Sequence, residues 1–295
     1  MTMPLPYKEP ILKSITSDSK LLIGVGCSFT SGQGSYSART QAQYDWNIRI
    51  DMQSDEFIVE GYKNCWLNQI CEKYMPEWTP VNLGQAGAGN RQAVKELYTF
   101  DADSKNKIED AKEIIVVFML TGMERWSVVK KGYSWMCQDH WMTAWPTDDI
   151  ERDHPLNNFW KAYKKEVYGE DQIYFETFLH IKEAQMWCKA NNAKLILTPA
   201  FDGGYMNEIF EKWIGFNPGF EFLYPEGRLS HWHNLLEKDG FDWGTQNGGY
   251  WEKLNFTPEY PKGTKHTSRC CHPNQVGHEV IADLIYNEIK ERKYV

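Results

Sequence analysis

Leu21-Leu22-Ile23-Gly24-Val25 runs directly into Gly26-Cys27-Ser28-Phe29-Thr30-Ser31-Gly32. An apolar run that closes in a small-residue turn reads as a buried strand opening into a loop. A serine at the end of such a strand stands at the sheet edge where open α/β folds gather ligands. Far along the chain, His272-Pro273-Asn274-Gln275-Val276-Gly277-His278 leads into an amphipathic segment. A serine after the first strand and a histidine before the last helix can meet in space, the one as nucleophile and the other as its base.

Working outward, the same logic predicts further strands at Pro80–Leu83, Ile114–Leu120 and Lys194–Thr198. Ile114–Leu120 is apolar throughout, as a central strand buried on both faces must be. Helical spacing of apolar residues predicts helices over 64–74, 91–99, 171–190 and 274–291, with short ones near 206–213 and 229–238. Strands alternating with helices imply a parallel sheet covered on both faces. Three stretches, at about 34–60, 127–170 and 201–265, lack a clean period and read as insertions on one domain spanning 1–295. Loops this long inside a compact domain are often functional.

Composition narrows the function classes. The chain has 295 residues, enough for a sizeable core. A net charge of -8 argues against nucleic-acid binding, which needs a basic face. No apolar run approaches the roughly 18 residues of a membrane span, and residues 1–19 do not read as a signal peptide. Seven scattered cysteines fit reduced thiols and cytoplasmic synthesis, which leaves later release or a place in a larger assembly open. The 13 Trp, 16 Tyr and 14 Phe are unusually many. They either fill a loop-rich core or offer ring faces to sugars.

The motifs resemble those of the SGNH, or GDSL, esterases and lipases. Gly26-Cys27-Ser28-Phe29-Thr30-Ser31-Gly32 is similar to that family's first block, Asn82-Leu83-Gly84-Gln85-Ala86-Gly87 to its second, and His272-Pro273-Asn274-x-x-Gly277-His278 to its last. The Gly-Cys-Ser-Phe-Thr start and Gly-x-Gly-Asn second block also look similar to divergent bacterial and phage-encoded members. The resemblance covers the sheet core, about half the chain. It implies a three-layer α/β/α, flavodoxin-like fold and ester hydrolysis through an acyl-enzyme. In that reading Ser28 is the nucleophile and His272 the base. The N–H groups of Ser28 and Gly87, helped by Asn90, bind the oxyanion, and Arg125 and Trp126 face the substrate. No metal or cofactor is expected.

Three positions depart from the family pattern. Cys27 precedes the serine where the family has Asp. Met123 stands where its oxyanion Asn would be, and Arg269 where the Asp that orients the histidine would be. Asn90 and Arg125 are the substitute donors that the sequence offers. Loss of one oxyanion donor costs about 3–4 kcal/mol of activation free energy. A small acyl group such as acetyl on a carbohydrate is the expected substrate. The alternative is a weakly active or inactive protein of the same fold that binds a glycan or a partner protein. An acyltransferase would use the same residues.

Other motifs carry less. Gly84-x-x-Gly87-x-Gly89 hints at a phosphate loop but lacks the dinucleotide order. His231-Trp232-His233 and Cys270-Cys271-His272 match no zinc spacing. The sequence leaves the oligomeric state open.

Overall fold

The computed structural model describes residues 15–32, 61–85, 87–103, 108–123, 125–129, 141–144, 157–200, 206–224, 232, 273 and 275–295. Its strands are β1 (Lys20–Val25), β2 (Trp78–Asn82), β3 (Glu113–Leu120), β4 (Trp126–Val129), β5 (Trp141–Ala144) and β6 (Lys194–Pro199). Its helices are α1 (Ser28–Ser31), α2 (Trp66–Lys73), α3 (Asn90–Asp103), α4 (Asn157–Glu166), α5 (Glu170–Ala190), α6 (Met206–Ile214) and α7 (Gln275–Glu291).

Four strands form a parallel sheet in the order β2-β1-β3-β6. Alternate residues of each strand point to opposite faces, which divides the core in two. On one face Leu21, Ile23, Val116, Phe118 and Leu197 meet Val94 and Leu97 of α3, Ile181 and Trp187 of α5, and Phe210 of α6. On the other, Leu22, Ile115, Val117 and Ile196 meet Trp66 and Ile70 of α2 and Ile281, Ile285 and Ile289 of α7. Helices on both faces of a parallel sheet make the α/β/α architecture that the sequence implies.

The strand order explains the position of the site. The chain leaves β1 for β2 on one side, then crosses back over β1 to reach β3 on the other. That reversal falls at the C-terminal ends of β1 and β3, the usual place for ligands in such sheets. Ser28 follows β1 and Thr121 follows β3, so both lie at this edge.

One sequence expectation is corrected. Residues 127–170 read as patternless, yet they hold the antiparallel β4–β5 pair, most of it, and all of α4. Strands of four residues are too short for periodicity to distinguish them from loop. The helix expected near Met206 is present as α6. The one expected over 229–238 lies outside the described residues, except for Trp232.

The aromatic residues divide between buried and exposed positions. Trp66, Trp187, Trp232, Phe29, Phe100 and Phe210 are fully buried packing residues. Phe159 and Phe175 are 51% and 44% exposed.

Candidate active site

Ser28 opens α1, a single helical turn that begins as β1 ends. Cys27 caps it with extended backbone (φ −94°, ψ −151°) and accepts the N–H groups of Thr30 and Ser31, each at 3.0 Å. Gly32 closes the turn in the left-handed region at φ 86°, its N–H donating to the Ser28 carbonyl. The Ser31 hydroxyl donates to the same carbonyl at 3.1 Å. Ser28 itself is buried, at 3% exposure.

A glycine is required just before this turn. Gly26 has φ 154°, and a Cβ there would lie 2.4 Å from Thr30 Oγ1 and 2.6 Å from the Met119 carbonyl oxygen. Only a residue without a side chain lets the end of β1 press this closely on β3.

The second glycine block packs directly on the serine turn. Beyond Asn82 the β1–β2 ladder continues, with Leu83 N–H on the Gly24 carbonyl at 2.8 Å and Gln85 N–H on the Gly26 carbonyl at 3.0 Å. Asn82 joins block and turn: Nδ2 donates to the Thr30 carbonyl at 2.9 Å, and Oδ1 accepts Gly84 N–H at 2.9 Å. At Gly84 a Cβ would sit 2.5 Å from Ser31 N and 2.7 Å from Thr30 C. Tyr62 adds a third contact, its hydroxyl donating to the Gly84 carbonyl at 3.2 Å. Burial, reinforced by Glu96, pushes the Tyr62 phenol well above its ordinary range. Behind Asn82 lies Cys65, whose thiol donates to the Tyr62 carbonyl at 3.0 Å and is pushed up to about 11 by burial.

Gly87 is exposed, with φ 76° and no atom within 4 Å of a built Cβ. Its backbone takes the left-handed conformation that favours glycine. Asn90 is buried at the head of α3 and clasps the main chain just past β3. It accepts Thr121 N–H at 2.9 Å and donates through Nδ2 to the Thr121 carbonyl at 3.2 Å. Arg125 donates from Nη1 to the Ala88 carbonyl at 3.1 Å. Both residues that the sequence offers as oxyanion donors thus have main-chain partners, at Thr121 and Ala88. Trp126 stacks with Tyr163 of α4 at 4.6 Å and with Phe159 at 5.5 Å.

His272 lies outside the described residues, as do His231, His233, Cys270, Cys271 and Arg269. Pro273 is buried, and α7 begins at Gln275. His278, within α7, is fully buried, and its Nδ1 accepts the main-chain N–H of Trp66 at 3.3 Å. The Trp66 indole in turn donates to the Phe29 carbonyl at 3.2 Å. Sequence reading gave Trp66 and Asn82 no role in the site, although it placed the first on a helix face and the second in the glycine block. Trp232 is buried, and its indole donates to Thr198 Oγ1 at 2.7 Å.

Among the described residues no group of three or more His, Cys, Asp or Glu side chains converges on a metal position. None of the described helices is long and apolar enough to cross a membrane.

No family model matches the chain, and no curated protein matches it either. Solved structures do. A protein assigned to the G-D-S-L lipolytic family from Desulfitobacterium hafniense is 13% identical, with 91% of this chain and 99% of that chain covered, at a TM-score of 0.38. A carbohydrate esterase whose active site is described as having divergent catalytic and non-catalytic binding functions is 12% identical, over 94% of this chain and 71% of that one, at 0.48. A catalytic mutant of an acetylxylan esterase from Geobacillus stearothermophilus is 15% identical, over 92% and 94%, at 0.40. At these identities and scores, nothing of their chemistry carries over to this chain. The chain itself folds as a doubly wound parallel α/β sheet with a buried serine turn, braced by a glycine loop, at the switch point of the strand order.

Proposed function

We propose that this protein is an ester hydrolase that removes a small acyl group from a carbohydrate, with Ser28 as nucleophile and His272 as base. The observation that supports it best is the bracing of the Ser28 turn against Gly84 at the C-terminal edge of the sheet. A turn held this firmly presents its first residue in one geometry, as attack on a carbonyl requires.

The reaction runs in two halves. The Ser28 hydroxyl oxygen attacks the ester carbonyl carbon as its proton passes to His272. The N–H groups of Ser28 and Gly87 hold the resulting alkoxide, joined by the second hydrogen of Asn90 Nδ2. The bond to the sugar oxygen breaks, and the departing alcohol takes the proton from His272. Water then attacks the acyl-serine and gives His272 a proton. As the acid leaves, that proton returns to Ser28. Arg125 and Trp126 border the substrate. The Trp126–Phe159–Tyr163 stack supplies ring faces of the kind that pack on sugars.

A specific observation favours a second reading, a glycan-binding protein without turnover. Asn90 and Arg125 both spend donors on main-chain carbonyls, and the sequence offers Arg269 where an acid would orient His272. A serine-reactive fluorophosphonate separates the two. Labelling of the wild type but not of Ser28→Ala is expected, together with faster turnover of acetylated sugars than of long-chain nitrophenyl esters. An unlabelled wild type at neutral pH refutes the hydrolase reading.

A further inference from the structure

A one-turn helix cannot satisfy its own last carbonyls. In α1 the Ser28 carbonyl is met by Gly32 and Ser31 from within the turn. The next two are met from outside, Phe29 by the Trp66 indole N–H at 3.2 Å and Thr30 by Asn82 Nδ2 at 2.9 Å. Trp66 is fully buried, so its ring has no freedom to withdraw.

The same residue has a second bond in the opposite direction. Trp66 is the first residue of α2, and the Cys65 side chain makes no capping bond there. The Trp66 main-chain N–H goes instead to His278 Nδ1 at 3.3 Å, a partner 212 residues away on α7. An accepting Nδ1 places the proton of the neutral ring on Nε2. From there α7 lies along α2. Tyr286 stacks on Tyr74 with ring centroids 4.3 Å apart, and the Tyr74 hydroxyl donates to Asp283 at 2.6 Å.

We infer that Trp66 is a positioning residue for Ser28, its indole fixing the serine turn and its main-chain N–H tying that turn to α7 through His278. The inference rests on the hydrolase reading above. Trp66 touches neither substrate nor reacting atoms. It holds the turn that carries Ser28.

Trp66→Phe keeps an aromatic ring and the main-chain N–H but deletes the indole N–H. With 4-nitrophenyl acetate as probe, kcat per folded molecule is expected to fall about tenfold with KM unchanged within about twofold, since a misplaced nucleophile costs rate more than binding. Amide hydrogen exchange of residues 30–32 should accelerate by a similar factor. On the other side, His278→Leu removes the acceptor, whereas His278→Gln keeps one. The Gln variant should regain most of the kcat lost in the Leu variant. An unchanged kcat per folded molecule in Trp66→Phe overturns the inference, and so does equal loss in the two His278 variants. Should the wild type neither react nor take up fluorophosphonate, the hydrolase reading fails by itself. The exchange rates then decide alone whether Trp66 holds the turn, and unchanged rates overturn that as well.

Discussion

Gly84→Ala should damage both stability and activity, although it adds a single methyl group at a residue whose φ is not positive. The backbone can accept alanine, so the whole effect is steric. The new Cβ would sit 2.5 Å from Ser31 N and 2.7 Å from Thr30 C, both of them main-chain atoms. Ordinary contact is about 3.5–4 Å, so block and turn must part by about 1 Å. Overpacking of this kind costs about 1–3 kcal/mol. Parting them also stretches the bonds of Asn82 to Thr30 and of Tyr62 to Gly84, each worth about 1 kcal/mol. The sum is a loss of about 3–5 kcal/mol. A 1 Å misplacement of reacting groups slows a reaction by roughly a hundredfold. Urea unfolding and the rate of fluorophosphonate labelling measure the two effects separately. Gly169→Ala is the control. It has open space around it and extended backbone at the N-cap of α5, where the weaker capping of alanine and its smaller unfolded-state entropy nearly cancel. A Gly84→Ala protein within about 0.5 kcal/mol of the wild type and labelled at the same rate would refute the close-packing argument.

Two further perturbations test other parts of the frame. Asn90→Ala strips the buried Thr121 N–H and carbonyl of their partners; a loss of about 2–5 kcal/mol is expected in urea unfolding, about half of it restored in Asn90→Asp, and a neutral Ala variant counts against the clasp. Stability should also fall at alkaline pH, because burial raises Cys65 from 9.0 to about 11 and Cys188 from 9.0 to about 12. Above pH 9 the unfolded thiols ionise first, so the unfolded state binds fewer protons and the slope of stability with pH is negative. The contribution of Cys65 is whole below pH 9, and about 2–3 kcal/mol of it is gone once the pH has passed 11. Urea midpoints at pH 7.5, 9 and 10.5 check this, and a flat profile would contradict it.

Much of the sheet was legible because parallel strands buried on both faces must be apolar along their length. Leu21–Val25, Ile114–Leu120 and Lys194–Thr198 announce themselves in this way, and all three are strands. The helices on either face follow from apolar spacing. The β4–β5 pair stayed hidden, since four residues hold too few alternations to count. The site was legible only in outline. Ser28 and the glycine block could be placed by their position after strands. The partners of Asn90 and Arg125 could not, because their hydrogen bonds run to main-chain groups, which no sequence marks. Trp66 and His278 meet across 212 residues. No spacing rule reaches that far.

That distance has a consequence for synthesis. Residues 66–73 leave the ribosome long before 275–291, and until α7 arrives the apolar face formed by Leu22, Trp66, Ile70, Ile115 and Ile196 lacks part of its cover. Contacts this remote in sequence form late in folding. A nascent or truncated chain therefore exposes a sticky surface of the kind that recruits chaperones. It also carries its serine in an unfinished setting. Completion of the last helix covers that surface and closes the Trp66–His278 bond in a single event, so burial of the core and bracing of the serine turn share one checkpoint.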